Sequence, residues 1–195
     1  IFFIILVILY FYFNKQKNIE YFNLNPKILY IVGVENSVRN VDLMRNNFKI
    51  IGNNSDIQWC FLHVDGNNSL WKKENWYNYI PNKYKFIGKG CKASQWKKIT
   101  PNFVKGYDYL WFSDGDIGLE KFNWKIYKKM LIKYKPLLSQ PSMLPKSKGG
   151  RASDHKSLNW KKDKTIHKIN LVEVMSPFIS TKIWPIIYEK LKLTD

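Results

Sequence analysis

Asp114-Gly115-Asp116 ends an apolar, aromatic run that begins at Tyr107, in a chain with only 15 acidic residues among 195. Two carboxylates one residue apart around a turn can face the same point, and a glycine between them lets the backbone bend. Anions that converge in this way repel each other unless a cation lies between them. A hard divalent ion, Mn2+ or Mg2+, held by one or two carboxylates and completed by substrate phosphates and water, fits that arrangement. Asp-Gly is also ordinary turn chemistry, in which neither acid does more than shape a loop. The run before it favours the metal alternative, because ligands of open α/β sheets bind beyond the carboxyl ends of the strands.

Two enzyme classes use such a pair. In glycosyltransferases with nucleotide-sugar donors, an Asp-x-Asp after a mid-chain strand holds Mn2+ or Mg2+ on the diphosphate. In phosphatases of the haloacid-dehalogenase type, the pair follows the first strand and supplies an aspartate nucleophile. The phosphatase pattern expects an acidic metal pair downstream. Beyond Glu120 the only aspartates here are Asp154, Asp163 and Asp195, none of them paired. Neither a P-loop nor a G-x-G-x-x-G fingerprint occurs, which argues against P-loop NTPases and dinucleotide enzymes.

Several elements must position the acids. Residues 28–34, ILYIVGV, form a β-branched run suited to a strand buried on both faces. Val38, Val41, Met44, Phe48 and Ile51 then recur at helical spacing up to Gly52-Asn53. A second strand spans 57–64 and stops at Asp65-Gly66-Asn67. A helical stretch with Trp71 and Trp76 follows, then a short strand at 84–88 and a helix over 92–98 limited by Pro101. The fourth strand, 107–113, delivers Asp114. Trp124, Tyr127, Met130, Leu131 and Tyr134 predict a helix whose lysines face water. Strand structure is expected over 136–142 and again over 166–175, with a mobile polar loop at 146–164. A closing helix over 180–193 starts late or kinks at Pro185. Alternating strands and helices imply an α/β fold: a Rossmann-like three-layer sandwich with a mostly parallel central sheet.

The formal charge of +17 raises nucleic acid as a partner, but the 32 basic residues are 29 lysines and three arginines. Abundant Lys, Asn and Ile together follow from an AT-rich genome without any functional cause. A solvated lysine surface, or attraction to an anionic small substrate, ranks above nucleic-acid binding. Cys60 lies within an apolar strand and reads as a buried thiol; Cys91 shares no metal-ligand spacing with it. Residues 1–13 are apolar and uncharged, and no small-residue cleavage site follows them. They read as the visible part of an uncleaved membrane signal anchor, with 14–26 as linker and 27–195 as a single domain. In a eukaryotic host that domain is expected in the ER or Golgi lumen, and the sequons at Asn53 and Asn67 are compatible with this.

From residue 28 to the end, the chain resembles the family called domain of unknown function 707, grouped with type-A glycosyltransferase folds. Its Y-D-G-N-x-x-x-W segment is matched at Asp65, Gly66, Asn67 and Trp71 in HVDGNNSLW. Its Y-D-Y-I-x-x-x-D-E-D-x-G-x-E-x-F is matched at Tyr107, Asp108, Tyr109, Asp114, Asp116, Gly118, Glu120 and Phe122. An I-S-Q-P motif resembles Leu138-Ser139-Gln140-Pro141, and F-V-E-x-M-A-P resembles the run from Leu171 to Pro177. The middle acid of the family triplet is Gly115 here, and residues 145–166 depart from the pattern. The family pattern continues past Asp195, where a third metal ligand is expected.

The resemblance implies a glycosyltransferase acting on a nucleoside diphosphate-sugar donor and a glycan or other acceptor, and the apolar run at 1–13 would anchor it in the membrane. Asp114 and Asp116 would hold Mn2+ or Mg2+ on the diphosphate. Glu173 is the candidate general base if the reaction inverts, while Gly33 and Asp65 end early strands where the nucleoside should lie. Lys92 would meet a phosphate. At Gly115, Asp or Glu is expected to be tolerated if the backbone angles are ordinary. The alternative from another class is a non-catalytic glycan- or anion-binding module on the same fold.

Overall fold

The computed structural model describes residues 25–144, 159, 166, 168–169 and 172–193. The expected anchor at 1–13, nearly all of the linker and the expected loop at 146–164, Asn159 excepted, lie outside the described residues. Among the described residues, no helix is long and apolar enough to cross a membrane.

The strands are β1 (Ile28–Val34), β2 (Ile57–His63), β3 (Lys85–Ile87), β4 (Tyr109–Asp114), β5 (Leu138–Ser139) and β6 (Phe178–Ser180). The helices are α1 (Val38–Ile51), α2 (Asn75–Asn78), α3 (Lys92–Trp96), α4 (Trp124–Tyr134) and α5 (Trp184–Lys192). The strands form one six-stranded sheet in the order β3-β2-β1-β4-β6-β5. β1 pairs in parallel with β2 and β4, and β2 with β3, whereas β6 runs antiparallel to both β4 and β5. The α/β class and the largely parallel sheet are therefore as expected, with an antiparallel edge added.

The central strands are mostly apolar and buried because both faces of the sheet are covered, as parallel strands require. On one face a row of rings crosses four strands. Tyr30 is in register with Trp59 and with Trp111, and Trp111 with Phe178. Their centroids lie 4.7, 4.3 and 4.6 Å apart. Such pairs contribute about 0.5–1.5 kcal/mol each beyond the area they bury. Phe48 of α1 and Tyr127 of α4 close over the two ends of this row, at 5.4 Å from Trp59 and 4.5 Å from Phe178. On the opposite face Phe112 receives Trp96 of α3 at 4.2 Å and Trp184 of α5 at 5.1 Å. Helices thus cover both faces, giving a three-layer arrangement.

Where expectation and structure part, local chemistry explains the difference. The helical stretch around Trp71 and Trp76 is split into a 3-10 turn, Trp71–Lys73, and α2, because Glu74 between them is extended. Its carboxylate is gripped by the Arg45 guanidinium at 2.8 and 2.7 Å and by the Trp76 indole N–H at 2.9 Å. The strand expected over 136–142 shrinks to the two residues of β5, bounded by Pro136 and Pro141, which have no N–H to give a ladder. β6 lies where no strand was expected. Of the extended run at 166–175, the described end is in no named strand, although the Met175 carbonyl accepts the Asp114 N–H at 2.9 Å. α5 starts late, with Pro185 in its first turn. Cys60 is buried and Cys91 exposed, both as free thiols.

Candidate metal and diphosphate site at the sheet edge

Chain order places β2 and β3 on one side of β1 and returns to its other side with β4. The crevice between β1 and β4, beyond their carboxyl ends, is the topological switch point at which open α/β sheets bind ligands. Gly33 near the end of β1 is in register with Asp114 at the end of β4. Gly33 and Asp114 therefore meet at the switch point.

The turn that follows is locked to the first helix. Gly115 is buried, and an added Cβ would press into the Gly33 carbonyl oxygen and lie 2.8 Å from Asn40 Oδ1. Its φ is not in the left-handed region, where Gly66 and Gly106 are found. Its φ alone would allow a side chain, yet there is no room for one. The expectation that Asp or Glu would be tolerated at Gly115 is corrected on this ground. Glycine is required here by close approach of two strand ends. Asn40 also accepts the Glu35 N–H at 2.9 Å through Oδ1, which fixes the loop after β1.

Asn47, fully buried on α1, holds the next residues of the turn. Its amide donates to the Ile117 carbonyl at 2.8 Å and accepts the Leu119 N–H at 2.9 Å. The two bonds bracket the loop directly after Asp116. Neither Asn40 nor Asn47 was singled out from the sequence. The available signal was a polar residue on the apolar face of α1, one turn before Ile51.

Asp114 is half-buried and Asp116 exposed. Lys92, the first residue of α3, brings its Nζ to 2.6 Å from Asp114 Oδ1 and 3.4 Å from the Val174 carbonyl. Burial pushes the Asp114 carboxyl above its usual range; Lys92 pulls against that shift and the Asp116 charge adds to it. Lys92 is delivered by its helix. Trp96, one turn later, packs tilted against Phe112, and the Gly90 N–H donates to the Val64 carbonyl at 3.0 Å. On the other flank, the chain before β6 runs beside β4, with the Phe112 N–H donating to the Pro177 carbonyl at 3.0 Å. That pairing carries Glu173 toward the same edge.

The structure therefore gathers Gly33, Lys92, Asp114 and Asp116 at one crevice. Asp65 lies on the same edge but on the β2 side. Its carboxylate accepts the Asn36 N–H at 2.6 Å and the Asn67 N–H at 3.0 Å, joining the loops after β1 and β2. Glu173 donates its backbone N–H to Gln140 Oε1 at 2.8 Å. It also lines a narrow apolar cavity with Trp96, Leu138, Pro177 and Ile187, and its Oε2 is shielded from solvent.

The donor set fits a hard cation. Two carboxylates one residue apart present oxygen donors only, and the ammonium held at Asp114 Oδ1 stands in for a cation at that position. Among the described residues no third carboxylate, thiol or imidazole joins them in a metal-holding group.

Fold and site together define an α/β protein with an acidic turn at the switch point of a largely parallel sheet. The chain belongs to the family described as "Protein of unknown function (DUF707)", whose model matches residues 11–192. No curated protein and no solved structure matches it.

Proposed function

We propose that the chain is the catalytic domain of a membrane-anchored glycosyltransferase of type-A fold that uses a nucleoside diphosphate-sugar with Mn2+ or Mg2+. The observation that carries this reading is the Asp114-Gly115-Asp116 turn at the β1–β4 switch point, with a cationic group already seated on Asp114. Asp114 and Asp116 would hold the ion on the diphosphate. The ion when bound would supply Lewis-acid neutralisation of the leaving phosphate. Lys92 binds a phosphate oxygen, Gly33 leaves room for the nucleotide at the end of β1, and Asp65 orders the loops that flank the nucleoside. Glu173 takes the acceptor hydroxyl proton if the reaction inverts. Residues 1–13 anchor the domain in the membrane, in the ER or Golgi lumen of a eukaryotic host. The test is a screen of nucleotide-sugar hydrolysis and transfer by purified protein with Mn2+. Turnover that disappears in Asp114→Asn supports the reading, and absence of nucleoside diphosphate binding with Mn2+ overturns it.

A second reading keeps the fold and drops the chemistry. An anion- or glycan-binding module is favoured by the +17 charge, carried almost wholly by lysine. It expects glycan or anion binding that is indifferent to Mn2+ and to Asp114→Asn.

A further inference from the structure

The Lys92–Asp114 contact is a part-exposed ion pair whose short acid is fixed at the end of β4 and whose lysine is placed by α3. Lys92 is held at the start of α3 by the packing of Trp96 on Phe112, and its Nζ lies 2.6 Å from a carboxylate whose burial disfavours an uncompensated charge. The same ammonium reaches the Val174 carbonyl at 3.4 Å, so it spans the crevice from α3 to the segment before β6. A tethered ammonium and a divalent ion cannot both take Asp114 Oδ1 at full strength.

We infer that Lys92 occupies the cation position at Asp114 until a diphosphate arrives, and then moves to a phosphate oxygen, so that metal and diphosphate bind synergistically. The inference deepens the metal–diphosphate reading and rests on it. A metal ion alone must displace the ammonium and leave it facing a second cation. With a diphosphate present, the ammonium gains a new anionic partner as it leaves Asp114. The phosphate oxygens then complete the coordination that two carboxylates cannot. Each ligand therefore raises the affinity of the other, by the same factor in both directions. Lys92 is a binding and positioning group in this scheme and takes no part in proton transfer.

The test titrates Mn2+ by calorimetry into the full chain, alone and with inorganic pyrophosphate, and repeats this for three variants. Lys92→Met keeps the apolar stem and removes the charge; Lys92→Arg keeps the charge; Lys49→Met removes a charge from the last turn of α1, the helix end that points away from the carboxyl end of β1. In the wild type, pyrophosphate should tighten Mn2+ binding by about tenfold or more. Lys92→Met should bind Mn2+ alone about fivefold more tightly than wild type and lose most of the coupling. Lys92→Arg and Lys49→Met should behave as wild type, which separates the position from the loss of one positive charge. If wild type shows the coupling while Lys92→Met binds Mn2+ alone no more tightly, the inference fails and the metal reading stands. If no chain binds Mn2+ even with pyrophosphate, both fail together.

Discussion

Asp114 and Asp116 share a turn but not an environment, and their substitutions should differ accordingly. Asparagine keeps the volume and one carbonyl oxygen while removing the charge that would hold a divalent ion. Either Asp→Asn change should lower transferase activity by at least about a hundredfold, which is about 2.7 kcal/mol of transition-state stabilisation. Folding should survive both. Asp114→Asn also leaves Lys92 without its carboxylate, but that pair is half in solvent and its loss costs little stability. Gly115 should behave in the opposite way. A Cβ there meets the Gly33 carbonyl and Asn40 Oδ1, so Gly115→Ala should destabilise by about 1–3 kcal/mol, the usual cost of overpacking. Melting curves with and without Mn2+ and pyrophosphate check all three. Loss of ligand stabilisation without loss of basal melting temperature is expected for the acids, and the reverse for the glycine. Equal ligand stabilisation in wild type and Asp116→Asn would remove the acid turn from the site.

At the level of elements, α1 is the part that turns a strand end into a site. Asn47 supplies both hydrogen bonds that bracket the loop after Asp116. Asn47→Leu, of the same branching but bulkier, strands a part-buried carbonyl and a buried N–H. The cost should be about 2–4 kcal/mol in denaturant unfolding. Ile51→Ala on the same helix costs a comparable amount by opening a cavity. The two should differ in function: Asn47→Leu should weaken Mn2+–pyrophosphate binding, and Ile51→Ala should leave it intact. Equal affinities would make Asn47 a purely structural residue. The same contrast explains what could be read from the sequence. β1, β2, β4, α1 and α4 were legible because long apolar runs and helical periodicity are local signals. The acid turn was legible because it follows directly on a strand. β6 is only three residues long and takes its identity from pairing with β4, a contact that sequence spacing does not encode. Asn47 was missed because a single polar residue on an apolar helix face has no local meaning until the partner loop is placed. Gly115 was misjudged because its constraint comes from Gly33, 82 positions earlier in the chain, and not from its own backbone angles.

For the whole molecule, a net charge of +17 and the buried imidazole of His63 make acid the weak side of stability. His63 is fully buried at the end of β2, with Nε2 2.9 Å from the Tyr77 hydroxyl. Burial lowers its pKa from the ordinary 6.5 to about 4; the nearby Lys85 charge acts in the same direction, while Asp65 and the Asn67 backbone oppose it. Between those two values the unfolded chain binds a proton that the folded chain refuses. Stability is therefore complete above about pH 6.5, falls as pH drops through the window, and levels off for this group below about pH 4. At ~1.36 kcal/mol per pH unit, the loss across the window is about 3 kcal/mol. The excess of lysine adds a second acid liability, because protonating carboxylates increases self-repulsion in the compact state. Salt separates the two. Repulsion between exposed charges is screened at about 1 M ionic strength, where the Debye length is ~3 Å, but the desolvation of a buried imidazole is not. Urea unfolding between pH 4 and 7 should therefore keep most of its pH dependence in 1 M NaCl for the wild type. His63→Gln, which retains a hydrogen-bonding group for Tyr77, should lose most of that slope while remaining less stable than wild type at pH 7. A slope that vanishes in salt for the wild type, or persists unchanged in His63→Gln, would assign the acid sensitivity to surface charge instead of the buried ring.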